Sequence, residues 1–205
     1  YDVCGDSEGA DDNASGVVGL LELARLLSKE KLKYRIDFVA YSLEEPPFFR
    51  TKQMGSYIHA NYLYRNKIPV KGMISLEMIG FYSNKKGSQQ FPIPAMKNIY
   101  GDVGDFITIV QNDKNELFSN ELNFLMKTES LLKTESFKGN PLISGIDFSD
   151  HLNYWKHNFE AIMITNTAFY RNKNYHTAND TLETLDVKKM GLVIQQLFNS
   201  IIIIK

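Results

Sequence analysis

Hydrophobic positions along this chain switch between two periods. Between residues 17 and 27 they fall at Val17, Leu20, Leu21, Ala24 and Leu27, a spacing that lines them along one side of a helix. The stretch before them, Gly9-Ala10-Asp11-Asp12-Asn13, is acidic and turn-forming, and predicts Asp12 or Asn13 as the helix N-cap. Residues 34–41 are rich in β-branched and aromatic side chains and predict a strand. Pro46 and Pro47 end it, because neither can donate a ladder hydrogen bond. A second helix is expected over residues 55–66. Further strands are expected at 73–78, 106–111 and 161–165, and helices at 116–132 and 187–204, the last weakened at Gly191. Residues 83–104 hold turn formers and two prolines, and read as a long surface insertion with little regular structure.

Strands alternating with helices predict an α/β fold, a three-layer sandwich with a mostly parallel central sheet flanked by helices. Functional groups in such sheets sit beyond the carboxyl ends of the strands. That rule singles out Glu44-Glu45, Glu77 and the segment after Thr165. A length of 205 residues suits one domain spanning 1–205 with a sizeable core. The first residue is Tyr1 rather than an initiator, so the chain is expected to be an N-terminally truncated fragment.

Charge narrows the function classes. Twenty-three Lys and Arg against 24 Asp and Glu give a net charge of -1, with no basic run. This excludes nucleic acid or anionic lipid attracted over a whole face. The apolar tail 201–204 is far too short to span a bilayer. Cys4 is the sole cysteine, which excludes an internal disulfide and a cysteine-rich structural zinc site. As a nucleophile Cys4 needs a base that the sequence does not identify. There is no Gly-rich phosphate loop and no Gly-x-Ser-x-Gly elbow.

The candidate chemistry rests on acids and one histidine. Asp11-Asp12 reads as a charged helix start suited to the macrodipole, but Gly9 before it and Ser15-Gly16 after it imply a tighter backbone than a cap needs. Glu44-Glu45 is either a solvated loop pair or a pair that divides labour, one acid on a metal and the other a general base. Glu77 ends a very apolar strand, where an acid is rarely buried unless paired or on a metal. His176 lies in a polar loop and becomes a ligand candidate only beside those acids. His59 and His157 read as surface or boundary residues. Asp150-His151 is a helix start, or Asp150 orients a neighbouring ligand.

Taken in order, Tyr1-Asp2, Gly-Ala-Asp-Asp-Asn-Ala-Ser-Gly at 9–16, Leu-Glu-Glu at 43–45, Ser-Leu-Glu-Met-Ile-Gly at 75–80, Ser-Asp-His at 149–151 and Tyr-His-Thr at 175–177 resemble the co-catalytic zinc aminopeptidase family. That family includes leucyl aminopeptidases, glutamate carboxypeptidases and, more distantly, glutaminyl cyclases. The resemblance implies a zinc-dependent exopeptidase acting on peptide substrates, with two zinc ions in the parent protein. Asp12 resembles the bridging carboxylate, Glu45 and His176 the other ligands of one zinc, and Glu77 the acidic ligand of the second. Glu44 resembles the general base and Asp2 the acid that orients the second zinc's histidine. The family pattern His-x-Asp puts that histidine directly before Tyr1, outside this chain, and N-terminal strands of the family's sheet are expected to be missing with it. Phe169, Tyr170 and Tyr175 flank His176 and are candidates for an apolar side-chain pocket, or are ordinary core aromatics. The resemblance points to an exported or periplasmic protein. Alternative readings are a glutaminyl cyclase-like acyltransferase and a non-catalytic binding module on a peptidase fold. A carboxypeptidase needs a basic cluster, for which Arg50 and Arg171 are the nearby candidates.

Overall fold

The computed structural model describes residues 2–114 and 116–204. Its helices are α1 (Gly16–Leu27), α2 (Gly55–Arg65), the single turn α3 (Lys97–Tyr100), α4 (Leu117–Glu129), α5 (His151–Trp155) and α6 (Val187–Ile203). Four strands, β1 (Met73–Glu77), β2 (Ile107–Gln111), β3 (Thr134–Lys138) and β4 (Ala161–Thr165), form one sheet in the order β1-β4-β2-β3. β1 runs parallel to β4 and β2 to β3, while β2 and β4 are antiparallel, with Ile109 opposite Ile164. The sheet is therefore mixed but mostly parallel, as the alternation of elements predicts.

Period-two alternation gives the sheet two different faces. Ile107 and Ile109 of β2 and Ile162 and Ile164 of β4 point to one side. There they join Leu23 and Leu27 of α1, Leu122 and Met126 of α4, and Val193, Ile194 and Leu197 of α6 in the main core. Gly19 lets α1 approach β1 closely: a Cβ there would meet Ile79 Cδ1 at 2.9 Å. The other face is smaller and more polar. Ala161 packs with Ala60 and Leu63 of α2 and Tyr154 of α5, and Val110 and Met163 pack with Ile146. Glu77 belongs to this second side, in register with Thr165 at the ends of β1 and β4.

The expected strand at 34–41 is not formed. The segment runs without ladder pairing and stands off β1 across a groove of about 340 Å³ lined by Ile36, Phe38, Val70 and Ile74. Its propensity is that of a strand, but a strand needs a neighbouring backbone, and among the described residues β1 pairs only with β4. The predicted cap is half corrected. Asp12 and Asn13 both have non-helical backbone angles, and α1 begins at Gly16 behind Ser15. Asn13 still serves the helix start, since its Oδ1 accepts the Gly16 N–H at 3.2 Å, whereas Asp12 plays no such part. α4 is shorter than the expected 116–132, ending at Ser130 in the left-handed region. Residues 83–104 are mostly irregular, as expected, but they are not merely surface: Gln89 and Met96 are buried.

Candidate metal centre and adjoining cavity

The second face of the sheet carries a cavity of about 350 Å³. Glu77, Thr108, Val110, Met163 and Thr165 form its floor, and Asp12, Glu44, Glu45 and His176 stand at one end. Behind them, a pocket of about 90 Å³ is lined by six acids: Asp2, Asp12, Glu44, Glu45, Glu77 and Asp150. The acids singled out from the sequence thus meet at one place, except Asp11. No Lys or Arg lines either space among the described residues.

Hydrogen bonds from distant segments set each acid. Asp11 and Asp12 divide their roles sharply. Asp11, wholly buried, accepts from Gly80 N at 2.8 Å, Asn166 Nδ2 at 2.8 Å and Asn172 Nδ2 at 2.9 Å. It ties three loops together and faces away from the cavity. Asp180, also wholly buried, accepts the Asp11 and Asp12 backbone N–H groups on its two oxygens, both at 3.0 Å. Asp2 does the same for the other acid pair, accepting Glu44 N at 3.3 Å and Glu45 N at 3.0 Å. Glu77 accepts from Ser149 Oγ at 2.8 Å and Asn13 Nδ2 at 3.3 Å.

His176 Nε2 lies 3.1 Å from Asp12 Oδ2 and 3.3 Å from Glu45 Oε2. Asp12 is only 5% exposed, yet Asp12 Oδ2 and His176 Nε2 are buried atoms that complete no hydrogen bond of normal geometry. Donors bonded to one tetrahedral ion at about 2.0–2.1 Å are separated by roughly 3.3 Å. These spacings match both an imidazole–carboxylate ion pair and three donors around one ion. Burial pulls the His176 imidazole down, but Asp12 and Glu45 outweigh it and hold the ring up at about 10. Burial lifts Asp12 to about 6 against the His176 contact, and lifts Asp150 to about 6. Glu44 is pushed well above the usual carboxylate range by burial and by Asp150, Glu45, Asp12 and Asp2. Glu77 is pushed up likewise by burial, Glu44 and Asp12.

The aromatic candidates fall where the sequence put them. Phe169, Tyr170 and Tyr175 all line the large cavity. Tyr175 stacks on His176 with centroids 3.7 Å apart, and Phe169, Phe148 and Phe49 continue the row of rings away from it. Arg50 is committed to Asp147 at 2.6 Å, and Arg171 is buried on Gln89 Oε1 and the Phe106 carbonyl. Neither lines the cavity. His151 is buried with Nε2 at 2.8 Å from the Ile146 carbonyl, apart from the acid cluster, and Asp150 precedes it at the start of α5. His59 is a boundary residue joined to Tyr41 and Tyr154.

Sequence reasoning missed two participants. Asp180 is separated by more than 160 residues from the backbone it holds, and nothing in its local pattern marks it. Cys4 was weighed only as a nucleophile, but its sulfur forms a cluster with Glu45 and His176 whose donor atoms all lie within 4.8 Å of one another.

The α/β sheet thus gathers carboxylates and a histidine beyond its strand ends, a donor set that suits a divalent cation. The chain belongs to peptidase family M28, whose sequence profile matches residues 1–201. It is 52% identical over 186 residues to the uncharacterized protein YfbL of Escherichia coli K12, covering 91% of this chain and 57% of that protein. Its fold is similar to that of the Bacillus subtilis zinc aminopeptidase BSAP, with a TM-score of 0.72 at 19% identity over 98% of this chain and 43% of the other. It is also similar to a Bacteroides thetaiotaomicron glutaminyl cyclase, with a TM-score of 0.60 at 20% identity over 96% and 64% of the two chains. The chain spans only about half the length of such relatives.

Proposed function

We propose that this protein is a zinc-dependent aminopeptidase that removes N-terminal residues from peptides. One observation carries the reading: among the described residues, six acids line the smaller space, four of them also line the larger one, and His176 is the one basic side chain beside them, with no lysine or arginine in either lining. Buried anions in excess of counter-charge are costly, and a divalent cation is the partner that this donor set suits. Oxygen and imidazole donors fit zinc. Asp12, Glu45 and His176 would hold one ion. Asp12 and Glu77 would offer oxygens to a second.

Zinc, when bound, supplies Lewis acidity that polarises a carbonyl and acidifies water. The chain's own residues do the rest. Glu44 accepts the proton of the attacking water on its carboxylate and delivers it to the leaving amine nitrogen. Its surroundings favour that work, since burial and four neighbouring acids keep its proton affinity high. Asp2 holds the Glu44-Glu45 backbone so that the two side chains point to different tasks. Asp150 lines the smaller space beside them. The row of rings and the apolar walls of the cavity suit a large apolar side chain at the substrate's N-terminus. A carboxypeptidase reading loses its basis, because Arg50 and Arg171 are both engaged elsewhere.

The test compares two reactions by the zinc-loaded protein. Release of leucine or phenylalanine from dipeptides is expected, without cyclisation of an N-terminal glutamine substrate. Cyclisation alone would replace the proposal with an acyltransferase. Zinc binding with neither reaction would make the protein a binding module.

A further inference from the structure

We infer that Cys4 is a further donor to the metal ion held by Asp12, Glu45 and His176, binding it as a thiolate. The inference rests on the metal-site reading above and adds a ligand to it. Among the described residues, Cys4 Sγ, a Glu45 carboxylate oxygen and a His176 ring nitrogen all lie within 4.8 Å of one another. An independent feature points to the same spot. Asp12 is about 95% buried, and its Oδ2 completes no hydrogen bond of normal geometry, its contact being the His176 Nε2 ion pair at 3.1 Å. A buried carboxylate oxygen without such a hydrogen bond is rare and costly, and a cation bound here would satisfy it. Cys4 stands on the rim of that spot.

The chain around Cys4 explains how it is delivered there. Cys4 opens a turn in which the Ser7 N–H donates to its carbonyl at 3.3 Å, and Gly5 takes a φ of 56° that favours glycine. Asp2, two residues earlier, is fastened to the Glu44 and Glu45 backbones, so the segment entering the turn is tied to the loop that carries Glu45. The thiol is half-buried rather than enclosed. It can therefore reach the ion or swing aside into solvent.

The chemistry supports ligation over a nucleophilic role. A cysteine nucleophile needs an environment that favours the thiolate. Without a cation, a Cys4 thiolate would stand against the Glu45 carboxylate beside His176. With an ion bound, the charge is compensated: the thiol gives its proton to solvent, a sulfur–metal bond forms, and nothing is oxidised or reduced. Zinc–sulfur bonds are about 2.3 Å, longer than zinc–oxygen and zinc–nitrogen bonds, so sulfur reaches the ion from the edge of the cluster. Asp12, Glu45, His176 and Cys4 then make four protein donors, the number of a closed site. Catalysis requires an open position, and Cys4, the donor on an irregular loop, is the one that can vacate it.

The experiment is cobalt substitution of the protein and of C4S and C4A, read by absorption. The wild type should show cobalt ligand-field bands together with a near-ultraviolet sulfur-to-cobalt charge-transfer band. Both variants should keep ligand-field bands, lose the charge-transfer band and bind cobalt about 10-fold or more weakly. In parallel, zinc should protect Cys4 of the wild type from iodoacetamide. Ligand-field bands without charge transfer in the wild type, or alkylation indifferent to zinc, would overturn the Cys4 assignment and leave the metal site standing. Failure of every protein to bind cobalt would overturn the metal reading itself, and Cys4 with it.

Discussion

Replacing Asp180 tests whether the site is built by long-range hydrogen bonds to backbone. Asp180 is wholly buried and accepts the N–H groups of Asp11 and Asp12 at 3.0 Å each. Asp180→Ala strands both donors in the buried interior. A buried unsatisfied group costs about 1–3 kcal/mol, so the pair costs about 2–6 kcal/mol. One effect opposes this: Asp180 also repels the Asp11 and Asp12 carboxylates, and its loss relieves them. The expected result is the lower half of that range, and a Tm lower by roughly 4–16 °C at the ~2–4 °C per kcal/mol of a domain this size. Asp180→Asn keeps one acceptor but turns its amide hydrogens toward the other N–H, and should lose about 1–3 kcal/mol. Urea unfolding followed by circular dichroism gives both values. Zinc titration gives a second readout, since a loosened Asp12 should bind the ion more weakly in both variants. If both variants unfold within about 0.5 kcal/mol of wild type, the clamp does not hold the pair and the argument fails.

Three further outcomes are expected. Glu44→Gln should retain zinc and lower kcat about 10²- to 10⁴-fold; near-native turnover with zinc bound would remove Glu44 from the mechanism. His151 is held neutral by burial, its pKa lowered to about 4 from 6.5. The unfolded chain takes up that proton first, so His151 lowers stability as pH falls from about 6.5 to 4, by up to about 3 kcal/mol. His151→Gln should remove this component, seen as a smaller stability loss over that window in paired urea titrations; identical slopes would refute it. Asp12 and Asp150 have the opposite sign, because their folded values near 6 lie above the unfolded ones. Metal-free protein should therefore lose stability as pH rises from about 4 through 6 on their account, and saturating zinc should flatten that slope. A Tm whose pH dependence is the same in chelator and in zinc would contradict it.

The order of elements was legible because the core follows simple periods. Residues 161–165 are uniformly apolar and β-rich, and β4 occupies those positions. β3 was not legible: Thr-Glu-Ser-Phe-Lys is polar and only half-buried, so a strand at the sheet edge leaves no alternation to read. Residues 34–41 mislead in the other direction, since propensity reports a side chain's fitness for a sheet and says nothing of an available partner. The acids of the site were legible because carboxylates at the ends of apolar strands break the pattern. The residues that hold them were not. Asp11 looked like the twin of Asp12, and only its contacts with Gly80, Asn166 and Asn172 separate them. Gln89 and Phe91 sit in a stretch that reads as surface, yet they wall the cavity.

The two clamps have a common logic. Each acid pair has its two successive backbone N–H groups bound by a third acid: Asp180 beneath Asp11-Asp12, and Asp2 beneath Glu44-Glu45. A neutral Ser or Asn could accept one such hydrogen bond without charge. Aspartate accepts two in parallel, which fixes the peptide plane and so the direction in which each side chain leaves it. It also adds negative charge to a region already rich in it, raising Asp12 and Glu44 further. In a site that stayed empty this would be a pure cost. Around a divalent cation the same charges become attractive, and rigid ligands lose less freedom when the ion arrives. On the proposed metal reading, the arrangement trades stability of the empty protein for affinity, and the acids that look least favourable in isolation are the ones that would make the metal's place specific.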